Sequence, residues 1–312
     1  MGNLFSQNCR KKHVDRFSMR EPKKFVAEHS SAMGDDWEFN RAIGEEFCEK
    51  IEAPANMLKL QNIPGLWEKH FKELNEVFHP LTVEEDEKVV HALECGNSWE
   101  ILVTHKPSNI SITREVLQRL RPNAWLNDEV IDLYLELLKE REEREPKKFL
   151  KCHFFSTFFF KKLIGGGNEY DFRSVKRWTA PSKLGYSLID CDRVFVPIHK
   201  DRHWCLAVVN IKDETFQYLD SLGGMDTYVL EVLAKYFMEE ARDKSDKEID
   251  TRFWKIELVD GLPLQINDWD CGMFMLKYID FYSRALPLCF TQKHIAYFRK
   301  RTAKEILVLR AE

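Results

Sequence analysis

Three short apolar runs, packed close together in the chain, constrain its fold more than anything else. They are Arg193-Val-Phe-Val-Pro-Ile198, His203-Trp-Cys-Leu-Ala-Val-Val-Asn210 and Thr215-Phe-Gln-Tyr-Leu-Asp220. They are rich in β-branched and aromatic residues and are separated only by polar turns, which predicts three consecutive strands of one sheet. On both sides the apolar period is helical instead. Thr82 with Glu85 predicts a capping box opening a helix through Leu93. From Trp125-Leu-Asn127-Asp128 a helix runs to about Arg144 on an apolar face of Val130, Ile131, Tyr134, Leu135 and Leu138, stopping before Pro146. Thr113 caps a short helix, and Ser156 is read as capping a Phe-rich helix from Phe158 to Ile164. Further helices are predicted from Thr227 to about Arg242, from Cys271, and from Thr291 to Leu309, with strands at residues 100–104 and around 254–259. The class is α+β, a small central sheet flanked by helices.

Residues 1–77 read as an N-terminal extension, poorly patterned and partly disordered. Its short helical segment opens near Pro64 and places Leu66, Trp67, Phe71, Leu74 and Val77 at helical spacing. Residues 78–312 read as the globular domain. A formal net charge of -4 offers no basic field for nucleic acid. No apolar run has the length of a membrane span. Cysteines at 9, 48, 95, 152, 191, 205, 271 and 289 form no Cys-x-x-Cys pair, so the usual zinc spacings are missing and neither metal nor cofactor is expected. Their scatter suits a reducing intracellular compartment. Met1-Gly2-Asn3-Leu-Phe-Ser6 fits the N-myristoylation pattern, with Cys9 as a palmitoylation candidate and Arg10-Lys11-Lys12 adding positive charge. Such lipidation is the only route to a membrane surface that the chain displays.

One cysteine has the setting of a nucleophile. Cys271 lies between the polar approach Gln265-Ile-Asn-Asp-Trp-Asp270 and the apolar run Gly272-Met-Phe-Met-Leu, at a predicted helix N-terminus. There the helix dipole favours the thiolate. Taken alone, it reads as a core cysteine. Gln265 offers an amide N–H to a developing oxyanion. His203 opens one predicted strand and Asp220 ends the next, and an antiparallel turn brings those two ends to the same sheet edge. A base and the group that orients it are what a cysteine hydrolase needs. Alone, His203 would be a solvated strand-edge histidine and Asp220 an Asx turn. His199 is the competing base, farther from Asp220 in any hairpin register.

His203-Trp204, Asp220-Ser221, Gln265 and Asn267-x-x-Asp270-Cys271-Gly272, with Trp125-Leu-Asn-Asp128 upstream, resemble the ordered signature of the Ulp/SENP family of ubiquitin-like-protein proteases. The resemblance covers roughly residues 78–312. It is closest to the plant members through Arg144-Glu-Pro-Lys-Lys-Phe-Leu-Lys-Cys-His153 and Met275-Leu-Lys-Tyr-Ile-Asp-Phe-Tyr-Ser-Arg284. It implies a papain-like fold of the Ulp type, with a small central mixed sheet flanked by helices and the nucleophile at a helix N-terminus. It implies a His203–Asp220–Cys271 triad with Gln265 at the oxyanion hole. Trp125 and Trp204 would close over a Gly-Gly tail, and Asp128 would meet a basic residue of SUMO. The implied activity is removal of SUMO from lysines and processing of its precursors. The implied partners are SUMO and SUMO-conjugated proteins, met by a monomer in the nucleus or cytoplasm. Alternatives are a NEDD8-specific protease of the same fold and a silent SUMO-binding module. An acyltransferase is disfavoured by the Trp204 clamp, and a zinc hydrolase by the lack of ligand spacing.

Overall fold

The structure, a computed structural model, describes residues 73–165, 169–245 and 249–312. Two β-structures form. Strands β1 (Ile101–His105) and β2 (Ile110–Thr113) make an antiparallel hairpin. The central sheet has five strands in the spatial order β3 (Cys152–Phe154), β4 (Arg193–Lys200), β5 (His203–Asn210), β6 (Thr215–Leu219), β7 (Lys255–Ile256). The three predicted strands are its antiparallel centre, and β3 and β7 add in parallel at the edges. The sheet is therefore mixed, as expected. The edges were less readable: β3 was not predicted, and the strand expected around 254–259 pairs over only two residues.

Helices cover both faces, so β5 is buried on both sides rather than alternating with solvent. Trp204, Leu206 and Val208 join one core with helices α2 (Asp128–Arg144), α4 (Cys271–Ser283) and α5 (Ile295–Leu307). Cys205, Ala207 and Val209 join the opposite core with α3 (Thr227–Lys244). Such alternation follows from the two-residue strand period. Helix α4 is apolar all round and buried nearly along its length, as a central helix must be. Its two buried charges, Lys277 and Asp280, pair with each other at 3.1 Å, and Asp280 also takes Arg141 at 2.6 Å.

Helix α1 (Val83–Glu94) opens on the predicted capping box, Thr82 and Glu85 each bonding the other's backbone. Asn127 caps α2 through the Val130 N–H at 3.3 Å. Ser156 does not cap as expected: the helix there is Phe159–Leu163, and the Ser156 hydroxyl donates to Asp132 at 3.1 Å. Most of the segment from Pro64, together with Gly2 and Cys9, lies outside the described residues. Residues 73–77 are helical, and Leu74 and Val77 are buried in the same core as α2 and α4. That core therefore reaches back across the sequence boundary drawn at 78.

Candidate active site

The antiparallel register of β5 and β6, from Asn210 opposite Thr215 to Leu206 opposite Leu219, sets the start of β5 beside the residue after β6. His203 Nε2 meets Asp220 Oδ1 there at 2.5 Å. Asp220 combines both of its expected roles. Its Oδ1 also accepts the Leu222 N–H at 2.9 Å, closing an Asx turn, and its Oδ2 accepts the Gly224 N–H at 3.2 Å. Gly224 leaves room for this contact: a Cβ there would stand 2.4 Å from Asp220 Oδ2, and the carboxylate would have to move.

Burial pushes the Asp220 carboxyl up, but hydrogen bonds from His203 and the Leu222 N–H outweigh it and hold the group below its ordinary value. The Asp220 hydrogen bond is the main reason that His203 is pushed up to about 12, followed by the Cys205 and Cys271 thiols beside the ring. With Nε2 committed to Asp220, Nδ1 is the nitrogen free to take a proton.

Cys271 is the first residue of α4 and is 0% exposed. Gly272 behind it lets the helix end press on Leu126, whose Cβ would be 3.0 Å from an added Cβ. Asp270 occupies the cap position without making a side-chain cap. Its carboxylate instead accepts from Arg299 at 2.6 Å, Gln292 at 2.6 Å and Asn267 at 2.7 Å. Arg299, on α5, also donates to the carbonyls of Arg119, Arg121, Ala124 and Trp269. One buried guanidinium thereby ties Asp270, the residue before Cys271, to the segment before Trp125. The sequence pattern holds no sign of this, because Arg299 is one of several cations on an amphipathic helix.

Gln265 is buried and tied to the residue after Asp220. Its N–H donates to the Ser221 carbonyl at 2.9 Å, and its Oε1 accepts the Ser221 hydroxyl at 2.5 Å. Its Nε2, the expected oxyanion donor, is bonded to the Asn267 carbonyl. Trp125 is 44% exposed and hangs from the Asp268 carbonyl by its indole N–H at 2.8 Å. Trp204 is 3% exposed, donates to the Leu126 carbonyl at 3.2 Å and stacks on His199 at 4.1 Å. Trp204 is thus tied to the residue after Trp125, with its own ring in the core and the Trp125 ring open. His199 faces Trp204, and the ring that reaches Asp220 is His203. Asp128 is the first residue of α2, half-buried, where an acidic group suits the dipole.

A further side chain stands here that the pattern did not single out. The Cys205 sulfur, a His203 ring nitrogen and an Asp220 oxygen all lie within 4.8 Å of one another. Two-residue alternation was the available signal, since Cys205 follows His203 on the same face of β5. The chain spacing is unlike a zinc motif, yet the fold assembles an N, S and O donor set.

Residues 124–311 match the Ulp1 protease family, C-terminal catalytic domain. Ubiquitin-like-specific protease ESD4 of Arabidopsis thaliana is 58% identical over 252 residues, 81% of this chain and 51% of that protein. Sentrin-specific protease 2 of Homo sapiens is 37% identical over 229 residues, 73% of this chain and 37% of that protein. The chain spans about half the length of ESD4 and of ubiquitin-like-specific protease 1A of the same plant. A solved C-terminal Ulp1 protease domain, in complex with Smt3, the yeast ortholog of SUMO, is similar with a TM-score of 0.62 at 27% identity. That match covers 73% of this chain and 96% of the solved one.

Proposed function

Because the chain belongs to the Ulp1 protease family, we propose that it is a cysteine isopeptidase that cleaves after the C-terminal Gly-Gly of SUMO. Its substrates are SUMO-modified lysines and SUMO precursors, and it acts as a monomer. The observation that carries this reading is the 2.5 Å His203–Asp220 bond, with Cys271 beside the same ring at the start of α4. The Ulp1 domain solved with Smt3 supports SUMO as the modifier.

Asp220 holds the His203 tautomer with Nδ1 as the base. Nδ1 takes the Cys271 proton, and the thiolate attacks the terminal glycine carbonyl. The negative charge that develops on the carbonyl oxygen is met by the Cys271 backbone N–H and by Gln265 Nε2, which turns from the Asn267 carbonyl to do so. The imidazolium returns its proton to the departing lysine amine, leaving a thioester. Water, deprotonated by the same nitrogen, then releases SUMO and restores the thiol. A tail that must pass beside Trp125 and reach a fully buried sulfur has to be thin, which favours glycine, and Trp204 backs the Trp125 segment through Leu126. Asp128, half-buried at the start of α2, offers a charge to a basic residue of the modifier.

Incubation with a SUMO–lysine conjugate, beside a Cys271→Ser chain, tests the assignment: turnover is expected only with the cysteine, and equal cleavage by the variant refutes it. Electrophilic C-terminal probes of SUMO, NEDD8 and ubiquitin test the modifier, and labelling by NEDD8 alone would overturn SUMO. At the chain's start, the proposal is acylation of Gly2 with Cys9 and the adjacent basic residues as the second attachment, the unacylated chain residing in nucleus and cytoplasm. Identical distributions of a C-terminally tagged chain and its Gly2→Ala variant would remove it.

A further inference from the structure

We propose that His203, Cys205 and Asp220 form an inhibitory zinc site that takes the catalytic imidazole and its orienting carboxylate out of use. The donor atoms are already gathered within 4.8 Å of one another. Zinc binds nitrogen at about 2.0 Å and sulfur at about 2.3 Å. Ligand atoms around it are therefore roughly 3–4 Å apart, within reach of side-chain rotation. One imidazole, one thiolate and one carboxylate is a borderline-soft set that suits zinc and not the oxygen-seeking magnesium or calcium. The two anions balance the charge of the ion. The surroundings hold one donor in place: the Leu222 and Gly224 N–H groups bond Asp220. Cys205 is buried, so the ion enters past His203, whose side chain is partly exposed.

Binding is a proton exchange without redox change. The Cys205 S–H bond and the Nε2–H bond of the His203 imidazolium break, two protons leave to solvent, the ring keeps its Nδ1–H, and Asp220 enters as carboxylate. Asp220 then ligates the metal instead of steering the ring, and the ring, fixed with a proton on Nδ1, cannot take the one from Cys271. Cys205 donates and accepts no proton in the proposed reaction, so metal sensitivity is read in its variants against their own zinc-free rate.

The inhibitory half of this inference rests on the proposed protease function, but binding does not. The binding test uses the full, chelator-treated chain with cobalt(II) as a coloured substitute for zinc. A Cys271→Ala chain is expected to take one cobalt with a thiolate-to-metal absorption band, and a Cys271→Ala/Cys205→Ala chain to lose the band. A band that survives in the double variant, or is absent from the single one, overturns the site even if SUMO is not the substrate. In the inhibition test, zinc is titrated against SUMO–lysine cleavage by Cys205→Ala and Cys205→Ser chains whose folding is checked by thermal melting. Whatever their zinc-free rate, they should need about tenfold more zinc or beyond for half-inhibition of that rate, the scale on which even outer ligand partners change affinity. Unchanged zinc sensitivity in both refutes the inhibitory role.

Discussion

Replacing Gly224 by alanine should damage catalysis far more than stability. The new Cβ would lie 2.4 Å from Asp220 Oδ2 and 3.4 Å from its Cγ. A carbon and an oxygen that are not bonded settle at about 3.3 Å or more, so the oxygen must retreat by roughly 1 Å. It is the end of a side chain, so the protein can yield there. The cost is lost contact between the Gly224 N–H and the carboxylate, about 1–2 kcal/mol of stability. The other oxygen carries the His203 bond, however, and a carboxylate that rotates away takes the ring out of line with Cys271. A displacement of 1 Å in a reacting group costs about a hundredfold in rate, or ~2.7 kcal/mol of barrier. Gly223 is the internal control: its φ of +80° disfavours alanine, but no atom lies within 4 Å of an added Cβ. Gly223→Ala should lower stability by about 1 kcal/mol and leave turnover nearly intact. The assay is kcat and KM on a SUMO C-terminal substrate, beside denaturant unfolding of both variants. Wild-type kcat in Gly224→Ala, or equal losses of kcat in both variants, would refute the reasoning.

Three other outcomes are expected. Asp220→Asn removes the main cause that raises His203, so the ring loses its proton at lower pH. Labelling of Cys271 by a SUMO electrophile should then slow at neutral pH with a changed pH profile; an unaltered profile contradicts the ion-pair assignment. Arg299→Met strands the buried Asp270 carboxylate and should cost about 3–5 kcal/mol in chemical denaturation, partly recovered by adding Asp270→Asn; a loss under about 1 kcal/mol means that the pair holds nothing together. Burial, then Lys139 and Lys244, lowers His153 to about 3, so between pH 6.5 and that value the unfolded chain binds the extra proton. Stability from this group is present above the unfolded value and falls with pH at about 1.4 kcal/mol per pH unit through that window. His153→Phe should flatten that acid limb by one proton, and an unchanged slope would count against burial of the neutral ring.

The centre of the fold was readable because β4, β5 and β6 are contiguous and each carries its own apolar pattern. The edges were not. β3 has three residues and β7 two, and each pairs in parallel with a strand far along the chain, so neither leaves a local signal. The same division runs through the site. His203 and Asp220 sit at strand ends that one hairpin must bring together, and Cys271 opens an evident helix. Cys205 looked like one more apolar residue in a buried strand, and Arg299 like one more surface cation. Of the two tryptophans expected at the substrate channel, Trp204 is the buried one, because it sits in a doubly covered strand. Asp270, at the cap position, holds an arginine instead of capping the helix.

The position of Arg299 also bears on how the chain folds. His203, Asp220 and Cys271 are all translated before it, and the cation that neutralises Asp270 arrives only with α5. Until then the carboxylate beside Cys271 needs water around it. The start of α4 is therefore completed by a helix that follows it in the chain, and the segment before Trp125 is tied to it only when α5 docks.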